Sequence, residues 1–284
     1  MAPPDSSLAK IALISGGGAL PVEVAAYLRK SARPYTVVRI ASLSDAALDD
    51  HPGHTLGLGD FAKLFEILAT EQCRAVTMCG YVQRPDFDTM KRDAGGAEVL
   101  PTIQAAGRGG DDSLLRQVAA VITAQGYHIE GAHEANPELL IGAGLQAGPD
   151  PSPEAMEDAL EALRVAAAVG NLDIGQAVAV AGRVTLAVEA QEGTQAMLRR
   201  IPLLAPNVRG SVANRKGVLA KLAKPIQDLR LDMPTIGIST IEDAAAAGLC
   251  GIVARAHHLL IVDKPAVFSR AHELGLFIYG HEPA

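Results

Sequence analysis

The first 130 residues alternate between short apolar runs and longer amphipathic stretches, which restricts this half of the chain to a parallel sheet with packed helices. Residues 10–15 (KIALIS) read as a buried strand, Gly16, Gly17 and Gly18 as a sharp turn, and Ala19 onward to about Lys30 as a helix. A second strand is expected at 35–40 (YTVVRI). Asp60 can cap a helix over 61–72, whose Phe61, Leu64, Phe65 and Leu68 share one face. A third strand at 75–78 ends near Gly80 and Tyr81, and the stretch 82–88 reads as a loop. The glycine-rich GRGG (107–110) opens a helix that Asp111 and Asp112 are placed to cap, and 127–130 is a fourth strand. The exposed amides of the Gly16–Gly17–Gly18 turn suit an anion. The dinucleotide fingerprint fails here, because Pro21 takes the place of its last glycine and no acid follows Arg39 at the second strand end.

Residues 131–153 lose this pattern and close on PDPSP, so they read as a linker between a first domain, 1–150, and a second, 151–284. The second opens with an alanine-rich helix over 154–169. Apolar runs at 177–181 and 184–188 flank Gly182 and Arg183 as a hairpin. Glu189 ends the second of these, Glu192-Gly193-Thr194 makes a turn, and Thr194 can cap the helix that follows. Beneath the two carboxylates that turn also suits a phosphate or metal contact, the cap being the plainer reading. TIED (240–243) resembles a capping box. Strands at 250–254, 259–263 and 277–279 and a helix at 264–274 complete the half.

Chemistry concentrates in KGVLAKLAKPIQDLRLDMPTIG (216–237). Val218, Ala220 and Leu222 alternate with Leu219, Lys221 and Ala223 as a strand until Pro225 interrupts it. Asp228, Arg230 and Asp232 then share one side if the chain is extended, and Asp228 and Asp232 share one face if it coils. Two carboxylates close to Lys221 and Lys224 suit a magnesium ion holding a phosphate, or a charged edge strand that resists aggregation.

Composition narrows the classes. The net charge of -7 argues against a general nucleic-acid binder, and three cysteines without a C-x-x-C pair indicate neither zinc nor a disulfide framework. No secretory leader is expected from the polar start, and no apolar run is long enough to span a bilayer. The eight histidines lack H-E-x-x-H spacing, and neither G-x-S-x-G nor a P-loop occurs. The dimetal phosphoesterase and Nudix patterns are also absent.

SGGGALP (15–21), GDDSLLR (110–116), LDIGQAV (172–178), AVEAQEGTQAMLRR (187–200) and KPIQDLRLDMPTIG (224–237) together resemble a bacterial family. It is the metal-dependent UDP-2,3-diacylglucosamine pyrophosphatases of lipid A synthesis, the alphaproteobacterial type rather than the calcineurin-like one. The resemblance spans essentially the whole chain. It implies an α/β fold, with a Rossmann-like N-terminal domain and a second α/β domain particular to the family. It also implies Mg2+-dependent cleavage of the substrate to 2,3-diacylglucosamine 1-phosphate and UMP. On it, Asp228, Asp232 and Arg230 are the expected catalytic residues, with Asp228 preferred as the essential acid because it follows Lys-Pro-x-Gln. The metal set is Asp228, Asp232, Glu189 and Glu192. Gly16, Gly17, Gly18, Thr194, Lys221, Lys224 and Gln227 are expected to bind substrate. Gln195 stands where the family pattern has an acid, and is left out of the metal set. The expected setting is the cytoplasm with peripheral contact at the inner membrane, no nucleic-acid partner, and a second copy in a homodimer. The rival expectation is a non-catalytic carrier of a nucleotide or lipid phosphate, which has no need for paired acids.

Overall fold

The structure, a computed structural model, describes residues 9–107, 111–225 and 227–282. The expected capping by Asp111 and Asp112 concerns side chains outside the described residues. The chain divides into two compact α/β units. One holds the described residues up to Glu138 together with Asp228–Asp232; the other holds Leu139–Gln227 and the chain from Met233 on.

The first unit is built on five strands: β1 (Ile11–Ser15), β2 (Tyr35–Ile40), β3 (Gly53–Leu56), β4 (Ala75–Cys79) and β5 (His128–Ile129). They form one sheet in the order β3-β2-β1-β4-β5, and all four pairings are parallel. Ile11, Ala12 and Leu13 of β1 and Val37 and Val38 of β2 are fully buried, as both faces are covered. The covering helices are α1 (Ala19–Lys30), α2 (Phe61–Thr70), α3 (Ala94–Ala106) and α4 (Asp111–Ala124), and α5 (Ala132–Ala135) follows β5. The parallel sheet is the one expected from the alternation, and its strand order is that of a Rossmann-like half, as the resemblance implied. Two elements went unread in the sequence: β3, and α3, which follows the expected 82–88 loop. Just past β5, Glu130 is buried and accepts from both terminal nitrogens of Arg33 at 2.8 Å.

The second unit begins inside the expected linker, with strand β6 (Gly144–Ala147). Helix α6 (Pro153–Asn171) precedes a hairpin of β7 (Ala177–Ala181) and β8 (Val184–Val188). Then come α7 (Gly193–Arg200), β9 (Val218–Lys221), β10 (Thr235–Ile236), α8 (Ile238–Ala246), β11 (Gly251–Arg255), β12 (Leu260–Ile261), α9 (Lys264–Leu274) and β13 (Phe277–His281). Six of the strands form a mixed sheet in the order β6-β13-β11-β9-β7-β8, and β10 pairs with β12 alone. Period-two alternation sorts the side chains to two faces. Val178, Val180, Val218, Ala220 and Val253 pack on Ala155, Ala159, Ala162 and Ala166 of α6. Ala177, Ala179, Leu219 and Ile252 pack on the opposite side with Met197, Ile241, Ala244, Val267 and Ala271 of α7, α8 and α9. The alanines of α6 bring that helix close to the sheet. No helix among the described residues is long and apolar enough to cross a membrane.

Candidate functional site

In the first unit, the strand order reverses direction between β1 and β4, and ligands of such sheets bind at the carboxyl ends of the strands beside that point. Gly16 and Gly17 follow β1 there. Gly16 N donates to the Cys79 carbonyl (2.9 Å), while Gly17 and Tyr81 exchange backbone hydrogen bonds of 2.9 and 2.8 Å. A Cβ on Gly16 would lie 2.7 Å from the Tyr81 carbonyl oxygen, so the close approach of the two strand ends requires glycine. Gly18, with φ of 89°, turns the chain into α1 and is exposed with Ala19 at the start of a helix that lacks a side-chain cap. Of the three glycines expected at the substrate, two thus give their amides to protein carbonyls.

The Asp228–Asp232 segment resolves the two readings of its pattern in favour of a coil. Leu231 N and Asp232 N both donate to the Asp228 carbonyl, at 2.9 and 3.1 Å. Leu231 packs into the apolar cluster formed by α2, α4, β4 and β5 of the first unit. The backbone of Arg230 lies against Gly131, where an added Cβ would be 2.9 Å from the Arg230 Cα. The turn therefore sits just beyond the carboxyl end of β5, although its sequence belongs to the second half of the chain.

Within the turn, Arg230 Nε and Nη2 donate to Asp228 Oδ1 and Oδ2 at 3.0 and 2.7 Å, and Arg230 N donates to the same Oδ1 at 3.0 Å. The Arg230 guanidinium holds the Asp228 carboxyl below the usual carboxylate range. Partial burial opposes this, while the Arg230 backbone donor and the charges of Arg230 and Arg116 reinforce it. Asp228 in turn raises Arg230, with a further contribution from the Glu134 charge. Two stretches far apart in sequence, the helix bearing Arg116 and the 228–232 turn, thereby act on one carboxylate.

In the second unit, Glu189 continues the β8 ladder, its N–H donating to the Ala177 carbonyl (2.9 Å), and its side chain is buried. Glu189 Oε1 accepts from the Thr194 hydroxyl (2.7 Å) and Oε2 from Gln176 N (3.2 Å). Thr194 is not the cap of α7. The helix starts one residue earlier, and the hydroxyl closes onto Glu189 instead. Glu192 pairs with Arg200 at 2.9 Å and accepts from Ala190 N. Gln195 Nε2 donates to Asp243 Oδ2 (2.9 Å), at a polar cavity of about 190 Å³ lined by Thr194, Gln195, Leu198, Ser239, Thr240 and Asp243. Thr240 does not open α8 as a capping box would. It lies in the first turn, its Oγ1 accepting from Gly237 N at 3.4 Å. Lys221 is buried, with Nζ donating to the Thr235 carbonyl (2.9 Å). Lys224 pairs with Asp173 (2.8 Å) and closes a turn with Gln227 through its N–H to Gln227 Oε1 (3.1 Å).

The structure therefore brings Asp228, Arg230 and Asp232 together on one turn, and Glu189 with Thr194 on another. The four expected metal carboxylates are divided two and two between the units. Among the described residues no three His, Cys, Asp or Glu side chains are grouped to hold a metal ion. Sequence reasoning passed over Arg116, Asp173, Gln176 and Asp243. All four stand inside motifs already noted, GDDSLLR, LDIGQAV and TIED, so the polar members of those motifs were the available signal.

The family model described as the LpxI N-terminal domain matches residues 10–139, and that described as the LpxI C-terminal domain matches residues 142–279. The chain is 48% identical over 274 residues to the UDP-2,3-diacylglucosamine pyrophosphatase LpxI of Caulobacter vibrioides, covering 96% of this chain and 98% of that protein.

Proposed function

The chain belongs to the LpxI family, and from that membership we infer that it is a UDP-2,3-diacylglucosamine pyrophosphatase. It is a hydrolase of a phosphoric anhydride. Water adds to one phosphorus of the pyrophosphate, and the products are UMP and 2,3-diacylglucosamine 1-phosphate, a step of lipid A synthesis. The observation that carries this reading is the match of both family models, in order, over nearly the whole chain.

We propose that Asp228 and Asp232 hold the magnesium ion. Both are hard oxygen donors on a single turn, and Mg2+ commonly takes only one or two protein carboxylates, completing its shell with water and substrate phosphate. When bound, the ion would supply Lewis-acid stabilisation of the charge that spreads over the phosphates. Glu189 and Glu192 accept from Thr194, Gln176, Ala190 and Arg200. They brace the turn that opens α7 and so shape the cavity beside Thr194. Arg230 keeps Asp228 ionised and supplies a planar cation suited to phosphate oxygens. Gly18 at the start of α1, in the same unit as the acidic turn, is the further proposed substrate contact.

The substrate carries two acyl chains, and each buried methylene is worth about 0.8 kcal/mol, so it resides in a bilayer or in protein rather than in water. On this ground we propose peripheral work at the cytoplasmic face of the inner membrane. The decisive assay incubates the purified protein with UDP-2,3-diacylglucosamine and magnesium and measures UMP. Release that stops on chelation supports both the reaction and the metal. Binding without release would instead mark a carrier.

A further inference from the structure

From Gly193 to Gln227 the sequence contains no Asp or Glu, yet it holds Arg199, Arg200, Arg209, Arg215, Lys216, Lys221 and Lys224. This happens in a chain with 32 acids against 25 Lys and Arg. Four of the seven cations are engaged elsewhere: Arg199 with Asp243, Arg200 with Glu192, Lys224 with Asp173, and Lys221 in the interior. The other three lie in the irregular 202–216 loop. There Arg209 donates to the Leu204 and Gly210 carbonyls, Arg215 to the Leu274 carbonyl and Lys216 to the Asn207 carbonyl. Among the described residues, no carboxylate pairs with these three.

The loop is held in shape. Arg209 ties Leu204 to Gly210, Ser211 and Asn214 exchange backbone hydrogen bonds of 2.9 and 3.2 Å, and Lys216 N donates to the Gly248 carbonyl. It presents two aliphatic side chains to solvent: Leu203, 84% exposed, and Val212, 63% exposed. Single exposed apolar residues are ordinary on any surface. Here the most exposed large apolar side chain among the described residues shares a braced loop with three cations that no acid neutralises.

We propose that the 202–216 loop is the membrane-docking surface of this protein, with an anionic bilayer as its occupant. Leu203 and Val212 enter the boundary between headgroups and acyl chains, while exposed Lys216 meets lipid phosphates and the half-buried Arg209 and Arg215 add the attraction of two further cations. A second copy is a poorer occupant, because a two-fold contact would set the same cations against each other. The proposal names the surface for the membrane contact read above and rests on it.

The test is co-sedimentation of the full chain with phosphatidylcholine vesicles, with and without about one third phosphatidylglycerol. Binding is expected only to the anionic vesicles, and weaker at high salt. Leu203→Asp and Lys216→Glu should each lower it roughly tenfold. UMP release from substrate in detergent micelles should be unchanged in both variants. If both variants bind as the parent does, the loop assignment is overturned and membrane contact stands. If the parent binds neither vesicle, the membrane contact falls with it, while UMP release still reports separately on the reaction. If the variants change the mass measured by light scattering without vesicles, the loop is a contact between copies and the proposal is wrong.

Discussion

Arg230 grips the Asp228 carboxylate through both oxygens while its own backbone N–H donates to one of them, so this acid carries its counter-ion two residues away. The turn is closed by the Asp228 carbonyl and seated by Leu231 in the first unit's core. Geometry and ionisation of the carboxylate are thus fixed together.

Asp228→Ala is expected to reduce kcat by at least about 10³-fold while substrate binding is kept or tightened, since a negative charge facing the pyrophosphate is removed. Single-turnover kinetics and equilibrium binding of uncleaved substrate separate the two effects. Near-parental kcat would move the essential role to Asp232.

The Asp228 titration should be displaced to the acid side. A carboxyl with a lowered folded value stabilises the fold above its unfolded value and loses that contribution as pH falls through the folded one. At pH 3.8, the ordinary carboxyl value, more than half of Asp228 should therefore remain ionised. Carboxyl ¹³C NMR can follow this resonance, and Arg230→Gln should shift the midpoint upward. A midpoint at or above 3.8 in the parent protein would contradict the pairing.

Thr194→Val removes the hydroxyl that donates to buried Glu189 and should destabilise the fold by about 1–3 kcal/mol. Urea unfolding measures it. The Glu189→Gln, Thr194→Val double variant should lose less than the two single changes added together. Simple additivity would show that the two side chains do not depend on each other.

The pair of Arg33 and Glu130 offers a stability test away from the reaction. With side chains only 10% and 4% exposed, loss of one partner strands a buried charge. Arg33→Met should cost about 3–5 kcal/mol, and adding Glu130→Gln should restore part of it. A thermal midpoint unchanged by Arg33→Met would show that Glu130 finds water or another donor.

Burial pushes the Cys73 thiol up to about 11 and Cys79 up to about 12, and raises Cys250 as well. Iodoacetamide at pH 8 should therefore modify none of them appreciably in the native protein, with mass spectrometry as the readout. Rapid labelling of any one would show a far more accessible thiolate.

What the sequence disclosed tracks how strongly pattern and packing agree. β2, the hairpin of β7 and β8, and α9 were legible at their observed bounds, because apolar period, turn residues and length coincide there. Helix α3 was not. Gly95, Gly96 and Pro101 weaken its helical signal, and burial of Leu100 and Ile103 against Phe61 overrides that local weakness. Strand β3 offers too little apolar contrast, with only Leu56 buried among its four residues. The acids of 228–232 were recognisable as a set, but alternation could not distinguish an edge strand from a coil. Leu231 decides it by a long-range contact that no local pattern encodes.

The seating of residues 228–232 also bears on inheritance. The two family models divide the sequence between 139 and 142, yet the first folding unit borrows five residues from far beyond that line. A polypeptide ending at 139 would leave the place of Leu231 open and lack the carboxylate altogether. One beginning at 142 would carry Asp228 without the Gly131 backbone and Arg116 charge that condition it. Exchange of halves between distant relatives would therefore join an acidic turn to a seat it did not evolve with. Changes at 116 or 131 and changes at 228–231 are expected to pass down lineages as a matched set.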